Sequence, residues 1–445
     1  MRDQRVCILG MGYVGLTLAV AMAERGFSVT GLEKSPAILE LLQRGKAHFF
    51  EVGLEVRMAR VVASGNLRFA RSSDDAGWDL PPSVFLITVR TPLGKDGAPR
   101  MDMVDGVTRE VARCMPDDAI VVLRSTVKLG TSRKVVLPIL EQSGKRFRLA
   151  YCPERTIEGK ALEELAHLPQ IVGGLDEDDA WRAAQLFQRI TPTIVRVSSL
   201  EAAEIIKLLD NSYRDLFFAF GNEVALLCDE AGLDGVEVIR AANMGYERTN
   251  LALPGFVGGP CLQKDPHILL SSLAELGHRP QMIATARALN EALPEHVIRM
   301  ILTELPRERL PEKAAITVCG LAFKGRPETD DIRGTPAIEL ITALRRSFPK
   351  AILRGHDFAV AADAIASLGL EPTTLDGAFE GASLVIVANN NARYQWVDLD
   401  RLSSKMAKPG MVFDAWSVLP FDNGMNGRDV MYRRLGSASA WRRAT

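Results

Sequence analysis

Short apolar runs alternate along this chain with longer stretches whose apolar positions recur at helical spacing. RVCILG at 5–10 reads as a short buried strand, 17–25 as a helix, and 27–32 as the next strand. Further buried-strand patterns fall at 84–89, 119–123, 148–152 and 193–197, most of them separated by helical stretches. That alternation predicts an open, mostly parallel sheet with helices on both faces. Residues 200–232 break the rhythm, with no turn signal before Gly232 and apolar residues over a wide face. They predict one long helix buried against other elements or another subunit. Helices are expected next at 234–242, 266–276 and 280–304, then a polar linker, ERLPEKAA, at 308–315. ITVCGLAFK at 316–324 restarts a strand, and 337–348, 351–353, 361–368 and 382–387 resume the alternation. The fold class is therefore α/β: two Rossmann-like, doubly wound parallel-sheet domains joined by a central long helix and helical segment. The expected divisions are 1–199, 200–305 and 306–445.

Composition narrows the class of function. Of 445 residues, 47% are hydrophobic and 24% charged, which fits packed domains and not wholesale disorder. Lys+Arg (54) nearly balance Asp+Glu (55), so a dedicated nucleic-acid binder is not expected. Six scattered cysteines include no CxxC pair; no metal site is expected, and a cytoplasmic setting fits. The apolar run Val6–Ala23 resembles a targeting segment or membrane helix, but Gly10, Gly12, Tyr13 and Gly15 interrupt it and a second strand follows at once. No membrane association is expected. The tail after about Asn423 carries five Arg and reads as a frayed terminus.

Four groups of residues carry candidate chemistry. Gly10-x-Gly12-x-x-Gly15 follows a strand and opens a helix, as a turn must where a pyrophosphate approaches backbone N–H groups. Glu33 ends the second strand, where a carboxylate accepts hydrogen bonds from ribose hydroxyls and repels a 2′-phosphate. NAD is the expected cofactor, although Lys34 adjoins Glu33; the alternative is a tight turn that binds nothing. Cys261, in FVGGPCLQKDP, sits at a loop-to-helix junction close to Lys264 and Asp265, a setting that favours a thiolate. A buried structural cysteine is the competing reading. Lys207 and Asn211, four apart on the long helix, share a face as a functional pair or as surface groups at its edge. Thr126 and the Glu154–Arg155 pair follow strands at the end where such sheets present ligands; a helix cap and loop charges are the alternatives.

Together these residues resemble the nucleotide-sugar 6-dehydrogenases, the UDP-glucose and UDP-N-acetylhexosamine dehydrogenase superfamily, over nearly the whole chain. The shared motifs are GMGYVGL (10–16), EVGL (51–54), TP (91–92), STV (125–127), PER…EG (153–159), EIIKLLDNSY (204–213), NE (222–223), GGPCLQKD (258–265) and FKGRPETDDIRGTP (323–336). The resemblance implies two NAD+-linked oxidations of a sugar CH2OH to a carboxylate. It implies that Cys261 forms a thiohemiacetal and then a thioester. Lys207 and Asn211 would stabilise oxyanions, Asp265 with Thr126 would position water, and Glu154 would assist hydrolysis. Tyr13, Val14, Thr91 and Thr126 would lie on the dinucleotide, and Arg333 on its phosphates. Arg155, Gly258, Lys264, Phe323 and Lys324 would contact the UDP-sugar, and Arg248 would reach it across the boundary of a homodimer.

Branch-level habits such as GYVGLTLA, PER and GGPCLxKDP point to a UDP-N-acetylhexosamine, with UDP-glucose as the alternative. Two other classes compete: a hydroxyacid dehydrogenase, which needs no cysteine, and a nucleotide-sugar binding protein without catalysis. Three features depart from the family pattern. The segment LPGFVGGPC is one residue short, STVKLGT has Leu129 where Pro is common, and ANNNARYQW lacks the usual acidic or His residues.

Overall fold

A computed structural model of the chain describes residues 4–94, 97–420 and 429–437. The chain forms two compact units: residues 1–210 with 267–279, and residues 211–266 with 280–445. The long helix Leu200–Ala231 passes from the first into the second.

The first unit holds an eight-stranded sheet of β1 (Arg5–Leu9), β2 (Ser28–Leu32), β3 (Leu67–Ala70), β4 (Val84–Ile87), β5 (Ala119–Leu123), β6 (Phe147–Tyr151), β7 (Gln170–Gly174) and β8 (Ile194–Val197). Its order is β3-β2-β1-β4-β5-β6-β7-β8, and every pairing is parallel except β6 with β7. Strand periodicity divides the core between the two faces. Val6 and Ile8 pack into one cluster, while Cys7 and Leu9 pack into the other. The apolar run at 6–23 is thus a strand, a turn and a helix, and no described helix is long and apolar enough to cross a membrane.

The second unit holds a six-stranded, all-parallel sheet of β9 (Ala315–Cys319), β10 (Ile352–His356), β11 (Glu371–Pro372), β12 (Ala382–Val387), β13 (Gly410–Asp414) and β14 (Val430–Arg434), ordered β11-β10-β9-β12-β13-β14. Helices Gly235–Asn243, Gly259–Leu262 and Gln281–Glu304 also belong to this unit, and Asp265–Ala274 runs from it into the first.

Three expectations need correction. The first helix begins at Tyr13, not Thr17, because Gly12 caps it and the glycine motif forms its first turn. Strands β3, β7 and β13 do not stand out in the sequence. In β7 the pair Gly173–Gly174 breaks the apolar pattern, yet an added Cβ there would meet Ser199 O at 2.2 Å and Ala180 N at 2.3 Å. Close helix packing therefore demands the glycines. The basic tail is not frayed throughout: Val430–Arg434 extends the sheet beside β13. The remainder of that tail, 424–428 and 438–445, lies outside the described residues.

Candidate active site

In the first unit the chemistry gathers at the carboxyl ends of the strands. Gly10 adopts φ +99°, a region open to glycine. A Cβ at Gly15 would lie 1.9 Å from Gly10 O and 2.6 Å from Thr88 Oγ1, so only glycine lets the helix sit this close to the turn. Among the described residues, an added Cβ at Gly12 meets nothing within 4 Å and no side chain caps the helix that starts at Tyr13. Open backbone before a helix N-terminus is the cradle a pyrophosphate requires. Tyr13 Oη accepts from Gly159 N (2.8 Å), and the Tyr13 ring lies against Phe49 at 4.7 Å. Val14 is half-buried in the first turn. The Glu33 carboxylate accepts from Met11 N (3.3 Å) and Ser35 N (2.9 Å), placing it beside the glycine turn, while Lys34 points to Glu110, 3.9 Å away. Thr91 Oγ1 donates to Thr126 O at 2.5 Å, joining the turns after β4 and β5.

Glu154 is not an exposed loop charge. It is buried, receives Arg124 Nη2 at 2.5 Å, and accepts from Arg155 N and Thr156 N, both at 2.8 Å. Burial would raise its pKa; Arg124, the Thr156 N–H and Lys207 outweigh that and hold the carboxyl below its usual range. Lys207 is itself buried on the long helix. Arg155 lies 3.4 Å from Asp210 and donates to Pro169 O at 2.6 Å. The loop after Thr126 is pinned by buried Glu204, which accepts from Gly130 N (2.5 Å) and Ser132 N (2.8 Å). Leu129, where proline is the commoner choice, donates its N–H to Ser272 Oγ at 3.1 Å, a bond proline cannot make.

The second unit carries the candidate nucleophile. Of the six cysteines, Cys261 alone is exposed, on the four-residue helix Gly259–Leu262. Burial pushes Cys152, in the first unit, up to about 12, and Cys7 and Cys319 are likewise raised by burial. Fully buried Asp265 accepts from Asn211 Nδ2 at 2.6 Å; its other oxygen lies 3.5 Å from Lys264 Nζ. Asn211 is thus a buried group with a defined partner.

Gly258 and Gly259 admit a second loop closely. A Cβ on Gly259 (φ +93°) would lie 2.3 Å from the Phe323 ring, and one on Gly258 would lie 2.6 Å from Gly334 O. Gly259 N donates to Gly334 O at 2.6 Å. Lys324 Nζ stands 5.6 Å from the Phe323 ring centroid. Phe323 and Lys324 therefore join the Cys261 segment, whereas Arg333, on the same loop, is paired with Asp331 at 2.5 Å. Arg333 lies in the second unit. Arg248 is exposed, its Nε donating to Tyr246 Oη at 2.9 Å.

The shortened segment and the asparagine run also find their reasons here. Gly255 is wedged on Trp416, whose ring atoms would lie 2.2 Å from an added Cβ, and Phe256 is buried in the core. Asn389 Nδ2 donates to Ala322 O (3.1 Å), and Asn390 Oδ1 accepts from Gly325 N (2.9 Å). These amides tie the Phe323 loop to the end of β12.

Sequence reasoning passed over Arg124 and Gln170, which hold Glu154 and the Cys152–Pro153 carbonyls from within the core. It also passed over Asp215, Arg287 and Asn290. The available signal was a charged residue at the end of an apolar strand (Arg124) or at core-facing helical positions (Asp215, Arg287).

The model of the UDP-glucose/GDP-mannose dehydrogenase family matches in all three parts: its NAD binding domain at residues 4–191, its central domain at 201–292 and its UDP binding domain at 317–421. NAD is the cofactor. A UDP-N-acetyl-D-mannosamine dehydrogenase of Pyrococcus horikoshii is 31% identical over 409 residues, 90% of this chain and 93% of that protein. A solved structure of UDP-D-ManNAc dehydrogenase from Pyrococcus horikoshii matches with a TM-score of 0.87 at 29% identity, covering 97% of this chain and 99% of that one. A UDP-glucose dehydrogenase from Pyrobaculum islandicum matches with a TM-score of 0.86 at 26% identity, covering 98% of each chain.

Proposed function

Because the chain belongs to the UDP-glucose/GDP-mannose dehydrogenase family, we propose that it oxidises C6 of a UDP-N-acetylhexosamine from alcohol to carboxylate through Cys261. The observation that carries this reading is the exposed Cys261 thiol in one short segment with Lys264 and buried Asp265, itself bonded to Asn211. A hydroxyacid dehydrogenase, with one oxidation, has no use for that cluster.

NAD+ supplies the acceptor for one hydride in each of two turns. In the first oxidation the C6 alcohol loses a proton as it becomes an aldehyde, with Lys207 and Asn211 stabilising the oxyanion. Asn211 spends one amide hydrogen on Asp265 and retains the other for substrate. The Cys261 thiolate then adds to the aldehyde, forming the C–S bond of a thiohemiacetal whose C6 hydrogen can leave as hydride. The resulting thioester is cleaved by water, which releases the acid and returns the thiol. Asp265 Oδ1, which accepts no hydrogen bond from the described chain, and Thr126 position that water. Glu154, held ionised by Arg124, assists as a base and not as an acid. Gly10, Gly12, Tyr13, Val14, Gly15, Glu33 and Thr91 hold the dinucleotide, with Arg333 on its phosphates. Arg155, Gly258, Lys264, Phe323 and Lys324 hold the UDP-sugar.

The test is NADH formation over a panel of UDP-sugars. We expect two NADH per UDP-N-acetylhexosamine. Faster turnover of UDP-glucose moves the assignment to that sugar, which the Pyrobaculum islandicum relationship favours as second reading. For Cys261→Ser we expect kcat to fall on the order of 10³-fold or more with NAD+ binding intact, since nucleophile and partners act as a unit. Two NADH per sugar at the wild-type rate in that variant would sink the mechanism.

The same reading assigns NAD to residues 1–199, the UDP moiety to 306–445, and self-association to 200–305. Tyr213, Phe220 and Leu227, spaced by seven on the long helix, are 67%, 54% and 61% exposed. Such a stripe suits a helix packed on its twin, and the assembly is a homodimer to which each subunit lends Arg248. Light scattering that finds a monomer at micromolar concentration refutes it. Six free cysteines fit a reducing, cytoplasmic setting.

A further inference from the structure

Four polar side chains run along one face of the long helix at 207, 211, 215 and 222, spacings of four, four and seven that keep to one side of the helix. Lys207 and Asn211 belong to the chemistry already described. Asp215 and Asn222 do not, and both are fully buried. They meet two more buried polar residues three apart on helix Gln281–Glu304: Arg287 and Asn290. Asp215 Oδ1 accepts from Arg287 Nη1 (2.9 Å) and from Asn290 Nδ2 (2.9 Å). Asn222 Nδ2 donates to Asn290 Oδ1 at 3.0 Å, which closes the set.

What the set grips is the backbone around Cys261. Asn222 pairs with both polar groups of Gly255, accepting from its N–H (2.8 Å) and donating to its carbonyl (3.1 Å). Arg287 donates to Leu262 O through Nη1 (2.7 Å) and to Val257 O through Nη2 (3.4 Å). One planar guanidinium therefore clamps the carbonyls on both sides of Cys261, including the last carbonyl of its four-residue helix. A helix that short does not hold its own geometry. A buried Arg–carboxylate pair is a poor source of stability, because desolvation consumes most of its attraction. Its fork geometry, by contrast, fixes two carbonyls at once.

We propose that Asp215, Arg287, Asn222 and Asn290 are positioning residues that set the place of the Cys261 sulfur. The proposal rests on Cys261 being the nucleophile. Asp215 and Asn290 orient Arg287; Arg287 and Asn222 fix the two ends of the nucleophile segment. Near-attack geometry is lost with a displacement of about 1 Å, at a cost near 100-fold in rate.

The experiment compares Arg287→Lys, which keeps the charge and loses the fork, with the wild type in two assays. The first is steady-state oxidation of the UDP-sugar and of its C6 aldehyde. The second is the rate of Cys261 alkylation by iodoacetamide, which needs no substrate. We expect kcat to fall roughly 100-fold with the aldehyde, KM for NAD+ to stay within about twofold, and alkylation to change at least several-fold with unaltered far-ultraviolet dichroism. If Arg287→Lys does not fold, the neutral pair Asp215→Asn/Arg287→Gln takes its place with the same expectations. A folded variant with wild-type aldehyde turnover and alkylation overturns the proposal and leaves the network a packing element. A wild-type protein that oxidises no UDP-sugar refutes the enzymatic reading instead, and alkylation alone then decides whether the network governs Cys261.

Discussion

The first six strands of the larger sheet and all six of the smaller one follow the same order, yet the turns after their opening strands are built for different work. After β1, Gly10 turns the chain and a helix starts three residues on, at Tyr13. After β9, Gly320 turns it with a similar φ (+82° against +99°), but the next helix starts only at Ala337. The first turn stays open at Gly12. The second is filled: Cβ atoms on Gly320 and Gly325 would strike Asn389 at 2.5 Å and Asn391 at 2.0 Å. Even the acid after the second strand has changed employment. Glu33 accepts two backbone N–H groups, whereas Asp357 accepts four, from Leu321, Ala322, Ala359 and Val360. Topology offers a crevice at the switch point. Whether a dinucleotide enters depends on a helix N-terminus facing it and on no side chain occupying it. The second turn instead carries Phe323 and Lys324 to the Cys261 segment.

The sharpest way to break this comparison is to put a methyl group on Gly15 or on Gly12. Gly15→Ala forces a Cβ within 1.9 Å of Gly10 O, and we expect loss of the folded first unit or of all NAD+ binding. Gly12→Ala meets nothing within 4 Å among the described residues. It should leave the melting temperature within about 2 °C, surface changes being worth about 0.5 kcal/mol, while NAD+ affinity falls at least tenfold. Calorimetry and NAD+ titration of both variants check this; equal NAD+ affinity in Gly12→Ala and the wild type refutes the cradle.

The next largest effect concerns Glu33. Glu33→Ala removes a charged acceptor beside the turn, a hydrogen bond of about 1.5–3 kcal/mol. We expect kcat/KM for NAD+ to fall roughly 10- to 100-fold and the preference over NADP+ to narrow, measured with both cofactors. An unchanged ratio places the adenosine ribose elsewhere.

Much of this contrast was legible in the sequence, and what was not has a common cause. The first turn announces itself because glycine spacing, strand and helix are contiguous from 5 to 25. The long helix was legible to within a residue, since no breaker interrupts it before Gly232. Cys261, Asp265 and Asn211 were singled out by residue type and spacing. The second turn shows no such signature, because Asn389 and Asn391 reach Ala322 and Gly325 from across the sequence. Arg124 and Arg287 were overlooked for the same reason: a buried charge is explained by partners, Glu154 and Asp215, that periodicity cannot bring near. Strand β14 hid because its arginines pair with Glu304 and Asp234, so an edge strand reads as a basic tail.

Asp357→Ala tests the filled turn. It strips four backbone donors of their acceptor, and we expect roughly 2–3 kcal/mol of lost stability in the second unit with NAD+ affinity unchanged. Urea unfolding followed with NAD+ titration separates the two. A fall in NAD+ affinity as large as that for Glu33→Ala would mean that the second turn also holds a dinucleotide.

The smallest effect is a pH dependence confined to the second unit. His356 ends β10, its Nδ1 3.1 Å from Tyr394 Oη and its ring edge-on to Phe358 at 4.8 Å. Burial pushes it down to about 4; Asp357 opposes the shift and Arg393 adds to it. An unfolded histidine titrates near 6.5. Below that value the unfolded chain takes up a proton that the folded chain refuses, so the stabilisation is complete above about 6.5 and drains as pH falls towards 4. Between pH 7 and pH 4.5 the loss is roughly 2–3 kcal/mol. His356→Gln retains a partner for Tyr394 without the titration. Its urea midpoint should therefore vary less over that interval than that of the wild type, while the acid dependence of NAD+ binding in the first unit stays as it was. Equal slopes in the two proteins would assign the acid sensitivity to carboxylates and leave His356 with packing alone.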